Sequence, residues 1–222
     1  MASSYSDIIC DILCNYTYSS VPIWGLIMDD NTEVIILGGG CFWCLEAALK
    51  TLEGVKNATS GYMGGKTEKP TYSDVCSGST GHAEVVKVEF TEEILNIDAL
   101  LSFFFHIHDA STLNKQGADV GTQYRSIIFC LTNQQKESTL RIIEEMEKTI
   151  YSGTSIVTEV NLVPPKNDYP TIRERNSSVF WKAEDYHQNY FAQNPRVPYC
   201  QAVVLPKLEK ARELKEKLNL NK

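Results

Sequence analysis

Cys41 has the position in this sequence that best suits chemistry, because it lies between a predicted strand and a predicted helix. The apolar run 34–37 and the three glycines 38–40 precede it, and apolar residues then recur at helical spacing as far as Gly54. A helix N-terminus favours an anion, so a thiol placed there loses its proton more easily. The pattern predicts that Cys41 is a nucleophile.

Two bulky aromatic residues, Phe42 and Trp43, follow Cys41 directly. At the first positions of a helix we expect their side chains to face outward, and apolar side chains commonly line ligand pockets. Phe42 and Trp43 are therefore predicted to form an apolar wall beside the thiol.

Cys44 completes a C-x-x-C pair with Cys41, and this pair leaves other interpretations open. The same spacing occurs in thioredoxin-like dithiol oxidoreductases and in one half of many zinc sites. An isolated cysteine is most often a small core residue. A zinc-stabilised module would contain about one zinc ion per chain, which elemental measurement would detect.

Glu84 heads the apolar face of another predicted strand, residues 83–90. Alternation places it on the same face as Val86, Val88 and Phe90. Desolvation disfavours the charged form of a carboxyl group, so its pKa rises, and a neutral carboxyl group suits a general acid. The alternative is a glutamate at the strand end that turns to solvent.

Three further polar residues lie where functional side chains are often found, at the end of an element or in a loop. Tyr62 ends a predicted strand, and Asp119 and Tyr124 belong to a loop before the predicted strand 127–131. They are candidates for hydrogen bonds to a substrate, or for holding the loop. His106 and His108 point to different sides of a helix, so we expect no metal site there.

The remaining pattern predicts a mixed α and β domain that positions these residues. Helices are predicted at 96–108, capped by Asn96, at 133–150 and at 206–220, and a further strand at 155–163. Residues 164–178 have the composition of a surface excursion. We expect an N-terminal extension, residues 1–32, followed by one domain, residues 33–222.

Composition and charge restrict the class of function. The chain has 222 residues, of which 43% are apolar, so one domain with a sizeable core is expected. The net charge of −7 and the lack of a basic cluster with aromatics argue against a nucleic-acid partner. Seven cysteines without regular spacing argue against a disulfide framework and favour a reducing compartment.

The first 32 residues contain four aspartates and no lysine or arginine, unlike a mitochondrial presequence or a signal peptide. Their apolar stretch 21–28 is too short to span a bilayer. Cys10 and Cys14 in this segment are predicted to be inert. We expect a cytoplasmic monomer that has no membrane partner.

Six separated motifs of the chain occur in the same order in a known enzyme family. They are Gly40-Cys41-Phe42-Trp43, Gly61-Tyr62, Gly81-His82-Ala83-Glu84-Val85, His108-Asp109, the stretch 116–126 and Ala183-Glu184-Asp185-Tyr186-His187-Gln188. With these motifs, the chain resembles the peptide methionine sulfoxide reductases of the A type over residues 33–210. The resemblance implies an α+β fold, a two-layer α/β sandwich with a ferredoxin-like core. It also implies repair by reduction of methionine S-sulfoxide, free or in oxidised proteins, without a bound cofactor.

The resemblance implies a role for each polar candidate. Cys41 would attack the sulfur, Glu84 would protonate the sulfoxide oxygen, and Tyr62 and Tyr124 would hydrogen-bond that oxygen. The chemistry agrees, since a sulfoxide oxygen is a poor leaving group unless it is protonated.

By the same resemblance, Phe42 and Trp43 would hold the substrate methyl group and Asp119 would help to place the substrate. Cys41 would become a sulfenic acid, which a second thiol would convert to a disulfide, and thioredoxin would reduce that disulfide. A thioredoxin-like dithiol enzyme would leave Glu84, Asp119 and Tyr124 without a role.

Two cysteines compete to resolve the sulfenic acid. Cys44 is one helical turn from Cys41, whereas Cys200 lies in a segment whose composition suggests a mobile tail, and by resemblance it matches a recycling cysteine. We predict Cys200 as the first resolving thiol and Cys44 as a relay or a back-up. The chain departs from the family pattern at Cys44, often glycine, at Ala110, usually proline, and in the apparent insertion 164–178.

Overall fold

The computed structural model describes residues 32–165, 168–169, 171–218 and 220. The predicted extension 1–32, including Cys10 and Cys14, therefore lies outside the described residues, apart from Thr32. Within the described part, no helix is both long and apolar enough to cross a membrane.

The strands form a central sheet and a small hairpin. In chain order they are β1 (Thr32–Gly39), β2 (Val55–Met63), β3 (Ala83–Thr91), β4 (Lys115–Gln116), β5 (Asp119–Val120), β6 (Ser126–Cys130), β7 (Glu159–Leu162) and β8 (Trp181–Lys182). The sheet order is β7-β6-β1-β3-β2-β8. β6 and β7 pair in parallel, and the other neighbours are antiparallel. β4 and β5 pair only with each other.

Helices connect these strands. In the described residues the α-helices are α1 (Phe42–Leu49), α2 (Tyr72–Cys76), α3 (Ile97–Ile107), α4 (Asn133–Lys148), α5 (Ile172–Ser177), α6 (Tyr190–Gln193) and α7 (Leu205–Lys217). The side chain of Asn96 caps α3 by accepting a hydrogen bond from the Ala99 amide at 2.8 Å, as the sequence predicts. A 3₁₀ turn spans Asp185–His187, and a π-helical turn spans Cys200–Val204.

The two faces of the sheet are covered differently. Alternate side chains of β1 and β3, including Leu37 and Val86, pack against α1, α3 and α4 in the main core. The opposite set, including Ile36 and Val85, packs against Phe180 in a second apolar cluster. Alternation therefore leaves the side chain of Glu84 on the same face as Val86, as predicted, and the helices cover this face.

The mixed α and β fold with a central sheet is confirmed. α1 connects β1 to β2, and α3 lies between β3 and β6, so the four central strands have the element order β-α-β-β-α-β once the short helix α2 between β2 and β3 and the hairpin β4–β5 are set aside. The narrower ferredoxin-like core stays a prediction, and this order is the one it requires.

The strand predicted at 155–163 is shorter, and β7 begins at Glu159. The preceding residues hydrogen-bond to helices and loops instead of a strand. The Ile156 amide donates to Glu147 Oε1 at 2.9 Å, and the Val157 amide donates to the Ala110 carbonyl at 2.9 Å. The predicted excursion 164–178 contains α5, which begins after the capping residue Thr171.

Candidate active site

Cys41 is the N-cap residue of α1 and directly follows Gly40, the last of the three glycines at the end of β1, as the sequence predicts. Gly40 has φ +93°, and a Cβ atom there would lie 2.5 Å from Gln116. A Cβ atom on Gly39 would lie 3.0 Å from the His108 ring. Glycine is therefore needed at this turn both for its backbone conformation and for the close approach of neighbouring side chains.

Three cysteines meet at this turn. Cys41, Cys44 and Cys200 form a buried cluster with Val204, and none of the three is in a disulfide. Cys200 is fully buried in the π-helical turn, so it does not lie in the irregular tail that its sequence context suggested. Both candidate resolving thiols are thus beside Cys41.

The two thiols of the C-x-x-C pair share a hydrogen bond. This bond and burial raise the pKa of Cys41 well above its usual value, although the Tyr199 hydroxyl opposes the rise. The same bond lowers the pKa of Cys44, and the positive charge of Lys207 lowers it further, against the effect of burial. The hydrogen bond to Cys44 and burial thus oppose the effect of the helix N-terminus on Cys41, and the two thiols titrate as a pair.

Glu84 lies against the first turn of α1. Its side chain is 1% exposed, which rules out the solvent-facing alternative, and its Oε2 atom accepts a hydrogen bond from the Phe42 amide at 3.0 Å. Burial and the nearby Cys41 raise the pKa of Glu84 well above its usual value, and the Phe42 amide only partly opposes them. Burial thus favours the protonated form of a carboxyl group at the turn that carries Cys41.

The predicted hydrogen-bonding residues surround these two groups, but two of them already have protein partners. Tyr62 is fully buried and its hydroxyl donates to Glu184 Oε2 at 2.8 Å. Asp119 Oδ2 accepts a hydrogen bond from the Tyr199 hydroxyl at 2.9 Å. Tyr124 packs against the cysteine cluster.

The aromatic wall differs from its prediction. Phe42 is fully buried, with ring centroids 5.8 Å from Tyr62 and 5.0 Å from His187, so its side chain does not face outward. Trp43 is half-buried and stacks on Tyr190 at 3.7 Å. Its indole Nε1 donates to His187 Nδ1 at 3.1 Å.

Several residues of the site had no role in the sequence interpretation. Glu184 and His187 belong to a motif that carried the resemblance, which was the signal available for them. Glu46 is 2% exposed, and its carboxylate accepts hydrogen bonds from Ser60 Oγ and the Asn189 amide, so it ties α1 to β2 and to the C-terminal segment. Across the described ranges, no three His, Cys, Asp or Glu side chains are arranged to hold a metal ion.

The chain is similar to one enzyme family over most of its length. A family model described as peptide methionine sulfoxide reductase matches residues 33–219. The "Peptide methionine sulfoxide reductase MsrA" of Nautilia profundicola is 48% identical over 180 residues, which are 81% of this chain and 94% of that protein. The protein of the same description from Chromobacterium violaceum is 47% identical over 180 residues, with the same shares of the two chains.

The chain is also similar to solved structures of methionine sulfoxide reductases. Reduced Mxr1 from Saccharomyces cerevisiae has a TM-score of 0.65 and 33% identity, covering 78% of this chain and 91% of that one. Methionine sulfoxide reductase A of Corynebacterium diphtheriae has a TM-score of 0.67 and 30% identity, covering 78% and 81% of the two chains.

Proposed function

Because the chain belongs to the peptide methionine sulfoxide reductase family, and is thus an oxidoreductase, we propose that it reduces methionine S-sulfoxide, free or in oxidised proteins, at Cys41. The carboxyl group of Glu84, which is buried against the first turn of the helix that Cys41 caps and whose pKa is raised by that burial, is the observation that carries this proposal. A thiol and a proton donor are the two groups that the reaction needs.

The first step transfers oxygen from the substrate to the enzyme. The deprotonated sulfur of Cys41 attacks the sulfoxide sulfur while Glu84 gives a proton to the sulfoxide oxygen. The bond that this attack forms between the two sulfur atoms then breaks together with the S–O bond of the substrate. The protonated oxygen passes to the Cys41 sulfur, which becomes a sulfenic acid, and methionine leaves. The methionine sulfur is reduced and the cysteine sulfur is oxidised by the same two electrons.

The neighbouring side chains position the substrate. The hydroxyl groups of Tyr62 and Tyr124 donate hydrogen bonds to the sulfoxide oxygen, and Asp119 helps to place the substrate. Phe42 and Trp43 hold the methyl group. Trp43 can contact a ligand because its side chain is half-buried. Phe42 is fully buried and would form the deeper part of the apolar wall.

The second step forms a disulfide and water. The Cys200 thiolate attacks the Cys41 sulfenic acid, which releases its oxygen as water once protonated. A thioredoxin-type dithiol then reduces the disulfide by exchange. The shared cluster of Cys41, Cys44 and Cys200 supports this sequence, because either resolving thiol is close to Cys41.

Turnover of the two sulfoxide epimers tests the function. With thioredoxin as reductant, we expect the chain to reduce the S epimer of methionine sulfoxide and to leave the R epimer unchanged. Reduction of both epimers at equal rates would contradict the assignment. Reduction of protein disulfides without any sulfoxide turnover would favour the alternative, a dithiol oxidoreductase that uses Cys41 and Cys44.

Disulfide mapping tests the order of the resolving thiols. One equivalent of methionine S-sulfoxide is expected to produce a bond between Cys41 and Cys200 in the wild type and in Cys44→Ser. Cys200→Ser is expected to form a bond between Cys41 and Cys44 and to turn over more slowly with thioredoxin. Mass spectrometry of the oxidised proteins identifies the bonds. A bond between Cys41 and Cys44 in the wild type, with full turnover in Cys200→Ser, would show that Cys44 resolves first.

A further inference from the structure

Cys41 is covered in the resting structure, although the proposed reaction requires a substrate to reach its sulfur. Its side chain is only 6% exposed. The buried cluster around it includes Cys200 and Val204, and Tyr199 packs against the same cluster. All three belong to segment 199–204, which Tyr199 begins and which continues as the π-helical turn. A substrate therefore needs part of this cover to move.

Tyr199 fastens segment 199–204 beside the nucleophile. Its hydroxyl donates a hydrogen bond to Asp119 Oδ2 at 2.9 Å and is also a hydrogen-bond partner of the Cys41 thiol. Its ring meets Trp43 nearly at a right angle, with the ring centroids 5.7 Å apart. Hydrogen bonds to a carboxylate are among the stronger ones in proteins. Tyr199 thus links segment 199–204 to the loop that carries Asp119.

Asp119 is only partly buried, and it faces the reacting groups. Besides burial and Cys41, its charge raises the pKa of Glu84. The proposed function gives Asp119 a part in placing the substrate. At rest, however, the Tyr199 hydroxyl lies between this carboxylate and the Cys41 thiol, where the substrate sulfur has to arrive. Tyr199 and a substrate therefore compete for the same place.

We propose that the hydrogen bond between Tyr199 and Asp119 holds Cys200 against Cys41 in the resting enzyme, and that a bound substrate opens this bond. Tyr199 is then a positioning residue for the second step of the reaction. The inference rests on the proposed function, because it requires Cys41 to attack a substrate and Cys200 to resolve the sulfenic acid. Since Cys200 directly follows Tyr199 in the chain, release of Tyr199 also releases the resolving thiol.

The hydrogen bond orders the two steps of the reaction. While a substrate occupies the site, Tyr199 is displaced and Cys200 is withdrawn from Cys41. When methionine leaves, Tyr199 can bond Asp119 again, which brings the Cys200 thiol to the sulfenic acid. The two sulfur atoms then form a disulfide, and the hydroxyl group of the sulfenic acid leaves as water with the proton of the Cys200 thiol.

Segment 199–204 can move more easily than the helix on the other side of Cys41. Phe42 and Leu45 anchor α1 in the main core, where both are almost fully buried. The residues just before Tyr199 are instead mostly exposed, namely Pro195, Arg196 and Pro198. Opening at this point therefore breaks fewer packed contacts than a movement of α1 would.

Tyr199→Phe keeps the ring and removes the hydroxyl, so it is expected to affect the two steps in opposite directions. With no hydrogen bond to displace, the variant should half-saturate its first turnover at about fivefold less methionine S-sulfoxide. Its maximal first-turnover rate should stay within about twofold of the wild type, because Tyr199 has already left the site when the substrate is bound. Methionine formed in rapid-quench experiments without reductant measures both. An equal or higher half-saturating concentration would overturn the competition.

The second step is expected to become slower in the same variant. The comparison uses proteins that carry Cys44→Ser, so that Cys200 is the resolving thiol of the cluster. Tyr199→Phe is expected to slow formation of the bond between Cys41 and Cys200 about fivefold. Alkylation and mass spectrometry follow the disulfide in the samples in which methionine is measured, which separates the second step from the first. An unchanged rate of disulfide formation would overturn the proposal.

Asp119→Ala tests whether the two residues act as one unit. It should slow disulfide formation by the same factor as Tyr199→Phe, and the combined variant should be no slower than either alone. Slowing that multiplies in the combined variant would overturn the role of the hydrogen bond and leave the proposed function intact. If the wild type forms no methionine from the S-sulfoxide, both inferences fail.

Tyr190→Phe is the matched control. Tyr190 packs against the same cluster, and its ring stacks on Trp43. The substitution removes a hydroxyl from this cluster but leaves the bond between Tyr199 and Asp119. It is expected to change the half-saturating concentration and the rate of disulfide formation by less than about twofold. Changes as large as those of Tyr199→Phe would show that any lost hydroxyl loosens the cluster, which would overturn the proposal.

Alkylation of Cys200 in the reduced protein gives a measurement that does not depend on turnover. Cys200 is fully buried at rest, so its thiol reacts only when segment 199–204 opens. In Cys41→Ser, saturating methionine S-sulfoxide is expected to raise the alkylation rate of Cys200 about fivefold. Tyr199→Phe is expected to raise it without ligand. Protection of Cys200 by the ligand, or an unchanged rate, would show that the substrate does not release the resolving thiol.

Discussion

Cys41→Ser is expected to reduce sulfoxide turnover to less than about 1% of the wild-type rate. A serine hydroxyl is hardly ionised at neutral pH, so it cannot attack the sulfoxide sulfur, and its oxygen cannot be oxidised to an equivalent of the sulfenic acid. The loss should be equal with thioredoxin and with a small dithiol, because it occurs before the reductant is used. Methionine formed from the S-sulfoxide, quantified by chromatography, measures the effect.

Cys76→Ser is the matched control. Cys76 is exposed at the end of α2 and lies outside the buried cluster of Cys41, Cys44 and Cys200, and a serine there can keep the hydrogen bond with Tyr72. Its replacement is expected to change turnover by less than about twofold, as for most surface substitutions. Turnover of Cys41→Ser above about 1% would show that another thiol attacks the substrate, and Cys44 would be the first to test.

The local parts of the site could be predicted from the sequence because each depends on neighbouring residues. Glycines before Cys41 and helical spacing after it determine the strand-to-helix turn, and strand alternation places Glu84 with Val86 on the helix-covered face. Both features are present in the structure. Periodicity and capping depend on a few consecutive residues, which is why these features can be identified without a fold.

Contacts between distant residues could not be predicted in this way. Tyr62 and Glu184 are 122 positions apart, and Trp43 and His187 are 144 positions apart. The pairing of these polar residues depends on the sheet order and on the path of the C-terminal segment. The burial of Phe42 has the same origin, because Tyr62 and His187 pack over a helix position that is usually open.

The pKa values of the thiols show another property that the sequence alone could not predict. A helix N-terminus acts on a thiol like a fraction of a positive charge and so lowers its pKa. The sequence suggested this effect for Cys41. The structure adds a hydrogen bond between Cys41 and Cys44 and deep burial, which raise the pKa of Cys41 more strongly. Such pairs lose their protons in two coupled steps, so the first ionisation belongs to the pair and the second is opposed by the first charge. Position at a helix terminus is therefore a guide to reactivity, but not to which thiol ionises first.

Glu84→Gln is expected to slow the chemical step about 10²- to 10⁴-fold, the usual range for a positioned general acid. Glutamine has nearly the same shape and can keep the hydrogen bond from the Phe42 amide, but it has no acidic proton for the sulfoxide oxygen. Substrate binding should change much less. Single-turnover measurements with excess enzyme separate the two effects, and a near-wild-type rate would show that Glu84 is a structural carboxyl group.

The pH dependence gives an independent check on the same residue. Only the protonated form of Glu84 can donate, so the wild-type rate is expected to fall as pH rises through its raised pKa, whereas this decline should be missing in Glu84→Gln. The contribution of Glu84 to the free energy of unfolding should fall over the same pH interval. Because the folded pKa exceeds the unfolded one, the stabilisation from protonated Glu84 is complete below the unfolded pKa and is lost as pH rises through the folded pKa. Glutamine cannot ionise, so the Tm of Glu84→Gln relative to the wild type should increase with pH over that interval. A parallel pH profile in both proteins would mean that another group donates the proton and that Glu84 is ionised when folded.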